Sequence, residues 1–149
     1  MAKINARSKL GDYFVAFKLV TRKQIEACHR SLLAGQMLGQ AIVKAGLVEH
    51  AVCEQVAEVQ RRYRKTANEL QKQGVEIVLD EKSFIGDILV ALGAVTVDEK
   101  EEWLKYQESE RAKGNTPPRL GELLVEKGIL SAAERDLAMR VQDWLRGVN

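Results

Sequence analysis

Cys28, His29, His50 and Cys53 supply two thiols and two imidazoles, the donor set of a structural zinc site. Their spacing argues against a metal. Cys28 and His29 are neighbours, so on a helix they point roughly 100° apart, and no C-x-x-C pair is present. Reduced, half-buried thiols are the expected state. Catalytic chemistry is equally thin. The sequence has no glycine-rich loop ending in G-K-[ST], no G-x-G-x-x-G, no G-x-S-x-G and no H-E-x-x-H. Its carboxylates fall mostly on capping or solvent-facing positions, where they form a solvated surface. The expectation is no catalytic residue, no metal, no resident cofactor and no enzymatic activity.

Two groups with recognition chemistry remain. One is Arg119-Leu120-Gly121, followed at the end of the next helix by Gln142. An arginine guanidinium can pair with or stack on a guanine, and a glycine lets a flat base approach the backbone. The other is the basic run Arg61, Arg62, Arg64 and Lys65, which would suit a partner with an acidic surface. Net charge over the whole chain is +2, so no global field draws it onto nucleic acid or an anionic membrane. Acidic residues interleave with basic ones on most helices, and DNA binding is not expected.

The elements that position these residues are repeats. In RLGELLVEKGILSAAERDLAMRVQ, Arg119–Gln142, Leu120, Leu123 and Leu124 fall at helical spacing. Gly128 then stands where a helix ends in a left-handed residue. Ile129 and Leu130 make a buried joint, and Ser131 with Glu134 forms a capping box for a second helix. Leu137, Met139, Val141 and Leu145 are expected to supply that helix's apolar face, and Trp144 to close the end of the core. Three further copies begin at Lys9, Met37 and Phe84. Numbering each unit from 1, position 3 is Gly11, Gly39, Gly86 and Gly121. Position 10 is Gly46, Gly93 and Gly128, with Lys18 in the first copy. Capping boxes pair Thr21 with Gln24 and Thr96 with Glu99, whereas the second copy has Glu49. Position 21, His29 in the first copy and Leu104 or Met139 in the later ones, reads as core.

Such a hairpin is too small to bury its own faces and must stack on a neighbour. The sequence therefore predicts an all-α fold of four helix–turn–helix units in two tandem pairs, with a long helix after the second unit. Residues 1–60 form the first pair behind a frayed basic lead-in at 1–8, 61–82 a helical or extended connector, and 83–149 the second pair. Lys18 predicts a strained left-handed residue or a differently shaped corner. From His50 to Gln73, Val52, Val56, Val59, Tyr63, Thr66 and Leu70 alternate by four and three. That stripe either bridges the halves of one chain or makes a homodimer seam. Val75–Leu79 has strand-like composition but no obvious partner, so no sheet is expected. Neither a signal-peptide core nor a membrane-length apolar run is present, which predicts a cytoplasmic protein without membrane insertion.

The unit R-L-G-x-x-Φ-Φ-x-x-G-Φ-Φ, with a second helix ending in glutamine, resembles the N-terminal domain of type II secretion and type IV pilus assembly ATPases. The likeness spans about residues 8–142, as two tandem pairs without the ATPase engine. It implies a protein-interaction or adaptor module of a bacterial secretion, pilus or motility system, with a protein partner in that machinery. Some members of the family bind cyclic di-GMP, each unit embracing half of the dinucleotide. Carried over by position, the resemblance implies ligand contacts from Arg119, Leu120, Gly121 and Gln142, from Gln107, and from Lys9, Leu10 and Gly11. The third unit departs from the pattern with Phe84 and the second with Met37 at position 1, and Leu32 replaces the terminal glutamine of the first. The bland reading of the same residues is that position 2 is core, position 3 is packing room and Arg119 opens a helix.

Overall fold

The computed structural model describes residues 3–148, and these are all-helical with no strand. Eight helices follow one another: α1 Leu10–Ala16, α2 Arg22–Arg30, α3 Leu38–Lys44, α4 His50–Lys72, α5 Ile85–Ala91, α6 Val97–Ala112, α7 Leu120–Glu126 and α8 Ala132–Arg146. Each unit is a seven-residue helix joined to a longer one. The hydroxyls of Thr21, Thr96 and Ser131 accept from the backbone N–H of Gln24, Glu99 and Glu134. At α1 and α3 the side chain at position 4 reaches back to the N-cap: Asp12 accepts from Lys9 N–H (3.0 Å) and Gln40 from Met37 N–H (3.0 Å). Both devices satisfy N–H groups that a helix start leaves without partners.

Each short helix ends in a left-handed residue. Gly46, Gly93 and Gly128 have φ of 74°, 73° and 75°, and Lys18 adopts the same corner at φ 59°. Among the described residues Lys18 is the one non-glycine with positive φ, a conformation that crowds Cβ against the backbone. Tertiary contacts hold it there. Its Nζ donates to the Leu145 carbonyl and lies 3.6 Å from Glu81, fastening the first unit to the last helix.

α1–α4 pack on one another, as do α5–α8, and α4 and α5 meet between the pairs. A single apolar cluster runs through both pairs. Phe17 stacks on Trp144 with ring centroids 5.2 Å apart, so the indole does seal the core, against the opposite pair. Arg62 crosses the same boundary: its Nε donates to the α5 carbonyl of Leu92 (2.9 Å) and its Nη2 meets Glu134 (3.1 Å).

Two expectations need correction. The lead-in is not frayed throughout, because Ile4 is buried and exchanges two 2.9 Å backbone hydrogen bonds with Leu79. A two-residue bridge is thus the partner that the strand-like connector finds. Position 21 is not core. His29, Leu104 and Met139 are exposed, whereas Cys28, Ala138 and Val56 one residue earlier are buried. Of the two readings of the α4 stripe, the intrachain one fits the burial, with Val56, Val59, Tyr63 and Leu70 buried inside this chain.

Tyr63 is the hub of α4. Its ring meets Tyr13 edge to face, and its hydroxyl bonds the carbonyl of Ile77 and lies 3.3 Å from that of Ile4. Burial pushes the Tyr13 phenol up to about 12, an effect partly offset by the Arg64 guanidinium, and burial raises Tyr63 as well. A folded pKa above the unfolded value of 10.0 favours the neutral phenol, so this stability is whole below pH 10 and drains away towards pH 12. The Tyr13 hydroxyl makes only a 3.4 Å contact with the Asn5 carbonyl. Tyr13→Phe should therefore melt like the parent at neutral pH and lose less stability than it above pH 10. Thermal melts across that range test this, and parallel curves for the two proteins would contradict it.

Candidate functional site

Within each pair the two units meet where their short helices begin. A Cβ added to Gly11 would lie 3.3 Å from Leu38 Cδ2, and one added to Gly39 would lie 3.8 Å from Leu10 Cδ2. In the second pair the contact is one-sided: Gly86 faces Leu120 Cδ2 at 3.2 Å, whereas Gly121 meets only Arg135 of its own unit. Position 3 thus packs on position 2 of the partner unit at Gly11, Gly39 and Gly86. Position 17 of its own unit closes the space from behind, as Ile25, Cys53, Lys100 and Arg135 at 3.1 to 3.4 Å from such a Cβ. These glycines are narrow because helices cross over them.

The glutamines complete this approximate two-fold arrangement. Gln107, only 4% exposed, donates from Nε2 to the carbonyl of Pro118, 2.8 Å away. Gln142 donates to Ser83 O (3.4 Å) and Gln60 to Ser8 O (3.3 Å). In every case position 24 of one unit holds the residue just before position 1 of its partner unit. Each of these carbonyls precedes a helix start and takes its donor from the neighbouring unit. Leu32, at position 24 of the first unit, has no amide to offer, so the clamp is made three times and not four.

The residues assigned by resemblance therefore divide. Leu120 is buried against Gly86 at the α5–α7 crossing, Gly121 is buried facing Arg135 of α8, Leu10 is half-buried, and Gly11 is buried under Ile25. Gln107 and Gln142 each spend an amide N–H on a backbone carbonyl. Arg119 and Lys9 stay exposed at the N-caps of α7 and α1, and neither enters an ion pair among the described residues. Position 1 is exposed in the other units too: Phe84 at 74% and Met37 at 72%.

Position 21 was misplaced by the sequence reading, and it matters here. It precedes the position-24 glutamine by one helical turn on the same face. The clamps set Gln107, three residues after Leu104, against the residue before Arg119, and Gln142, three residues after Met139, against the residue before Phe84. Leu104 and Met139 are 42% and 43% exposed. Tyr106, edge to face with Trp103, extends the apolar surface along α6, and Lys127 lies over its ring at 5.9 Å. The signal for this surface was in the sequence: positions 17, 20 and 24 make one stripe, which leaves 21 at its rim.

The basic run does not form one patch. Arg62 is committed to Leu92 and Glu134, Arg61 pairs with Glu58 on its own helix, and Arg64 donates to Ser8 O at 3.0 Å. Neither Arg64 nor Lys65 enters an ion pair among the described residues, and Lys65 has no side-chain hydrogen bond there either. Residues adjacent in sequence spread around a helix, and the structure distributes these four to three neighbourhoods.

The cysteine–histidine set is dispersed as well. Cys28 is buried, His29 and His50 are exposed, and Cys53 Sγ lies 3.8 Å from the Gly39 carbonyl. Burial, then the Glu54 carboxylate, raises the Cys53 thiol above its ordinary value, which favours the protonated form over a metal-binding thiolate. Among the described residues no three His, Cys, Asp or Glu side chains converge on a point. None of their helices is long and apolar enough to cross a membrane.

Compared with protein-family models, curated proteins and solved structures, the chain matches none.

Proposed function

We propose that this chain is a non-enzymatic protein-interaction module, an adaptor that docks a protein partner on the paired-unit surface of its second half. The observation that carries the reading is the exposed set Phe84, Leu104, Met139 and Arg119 around the α5–α7 crossing. Three large apolar side chains beside an unpaired arginine have the composition of an interface centre. The likeness of the fourth unit to secretion and pilus ATPase N-terminal domains supports placing the partner in bacterial secretion, type IV pilus or motility machinery, on its cytoplasmic side.

The test is affinity capture from the source cell with the full chain and with Phe84→Asp, Met139→Asp and Arg119→Ala. A partner held by the parent and lost with Phe84→Asp and Met139→Asp is the expected result. Equal capture by all four proteins would remove this surface from the reading.

A second reading, a cyclic di-GMP receptor, is favoured by one feature: the Arg119 guanidinium stands free at the rim where a guanine would stack. The buried glycines and occupied glutamines weigh on the other side, since they have packing roles that need no ligand. Titration calorimetry separates the two readings. Micromolar binding abolished by Arg119→Ala would establish the receptor, and silence at millimolar cyclic di-GMP would end it.

A further inference from the structure

The near-neutral total charge conceals a division along the chain. Residues 1–48 contain eight Lys/Arg against two Asp/Glu, a net of +6, whereas residues 84–149 contain nine against twelve, a net of −3. One of the two acids in the first segment, Asp12, is already paired with Arg22 at 3.0 Å. On α2, Lys23 and Arg30 stand seven residues apart on one exposed face with Glu26 between them, and Lys44 ends α3. None of the three cations enters an ion pair among the described residues.

Between those helices the 31–37 turn raises two apolar tips. Leu33 is 71% exposed and Met37 72%. The turn is built to hold them: Gln36 N–H donates to Leu33 O (3.0 Å), and Gln36 Oε1 accepts from Leu33 N–H (3.2 Å). Gly35 takes the left-handed corner at φ 80°. A shallow depression of about 300 Å³ lined by Ser31, Leu33 and Lys44 sets the α3 lysine beside the turn.

We propose that this face of the first pair docks on an anionic lipid surface, with Leu33 and Met37 entering the headgroup layer and Lys23, Arg30 and Lys44 resting on it. The shape and composition select that occupant. The tips are convex and flanked by long cations, which suits a deformable interface; a partner helix would need a groove, and the depression here is too shallow to seat one. The tips are aliphatic, and the face presents no exposed aromatic on which a nucleic-acid base could stack. Binding of this kind adds short-range apolar burial to a salt-sensitive charge term. The proposal is independent of the partner surface on the second pair, which lies on other helices.

Co-sedimentation of the full chain with vesicles containing about one-third phosphatidylglycerol, against pure phosphatidylcholine, is the direct experiment. The chain should pellet with the anionic vesicles at about 50 mM salt and return to the supernatant at about 0.5 M. Arg30→Gln with Lys44→Gln should lower the partition roughly tenfold or more. Leu33→Ser with Met37→Ser should lower it comparably, with an unchanged thermal melt because both side chains are exposed. Phe84→Asp should leave vesicle binding intact, which keeps this proposal separable from the adaptor reading. Four results would overturn it: no pelleting at low salt, equal binding by the Leu33/Met37 variant, equal retention on polyglutamate or duplex DNA, or salt-sensitive self-association without vesicles that accounts for the pellet.

Discussion

Replacing Tyr63 with alanine should remove about 4 kcal/mol of folding stability, the range expected when a fully buried aromatic leaves a cavity behind. Tyr63 is 1% exposed and touches three parts of the chain that nothing else joins so directly. Its ring packs on Tyr13 of α1, and its hydroxyl bonds the connector at Ile77 and lies beside the lead-in carbonyl of Ile4. Alanine would empty the ring's volume and take the donor from the Ile77 carbonyl, two costs that add, while the Ile4 carbonyl keeps the Leu79 N–H. Tyr63→Phe separates them, keeping the ring and losing only the hydroxyl, for a cost of about 1–2 kcal/mol. Urea unfolding of the three proteins measures both. A loss below about 2 kcal/mol for the alanine variant would mean that the lead-in and connector are held by other contacts. The cleft of about 640 Å³ beside this hub, lined by Asn5, Tyr63, Arg64 and Ile77, should open further in the alanine variant.

The second large effect is expected at Gln107. Gln107→Ala deletes the 2.8 Å bond to Pro118 O and leaves a void at a position only 4% exposed. Together these should cost about 3 kcal/mol. Gln142 makes a longer bond, 3.4 Å, from a half-buried position, so its alanine variant should cost about 1 kcal/mol. The comparison bears on function as well as stability. Gln107 and Gln142 were assigned ligand contacts by resemblance, yet their geometry explains them as clamps between paired units. Denaturant midpoints that barely move in either variant would contradict the clamp and return the glutamines to a recognition role.

Much of the architecture was legible in the sequence because it depends on local chemistry. A hydroxyl residue three positions before Gln or Glu, just ahead of an apolar-periodic run, caps that run, so Thr21, Thr96 and Ser131 announced α2, α6 and α8. Position 10 required a left-handed corner, and glycine marked it three times. The same template showed that Lys18 had to take that corner under strain or reshape it, and it takes it. Apolar spacing on α4 identified the stripe through Val56, Val59, Tyr63 and Leu70, but spacing does not say what covers a stripe. Here α1, the lead-in, the connector and α5 of the same chain cover it.

What the sequence determined, then, was the repeat, its helices and the all-α class, since each follows from interactions within about one helical turn or one corner. Tertiary structure decided where the buried side of α2, α6 and α8 stops. A slip of one residue moved position 21 from core to surface and turned Leu104 and Met139 from packing residues into a candidate interface. It also decided that Arg62 is a clasp between pairs, that Ile4 completes a bridge with Leu79, and that three glutamines hold the corners of neighbouring units. Those outcomes depend on which distant backbone group arrives next to a given side chain, and no periodicity in the sequence encodes that arrival.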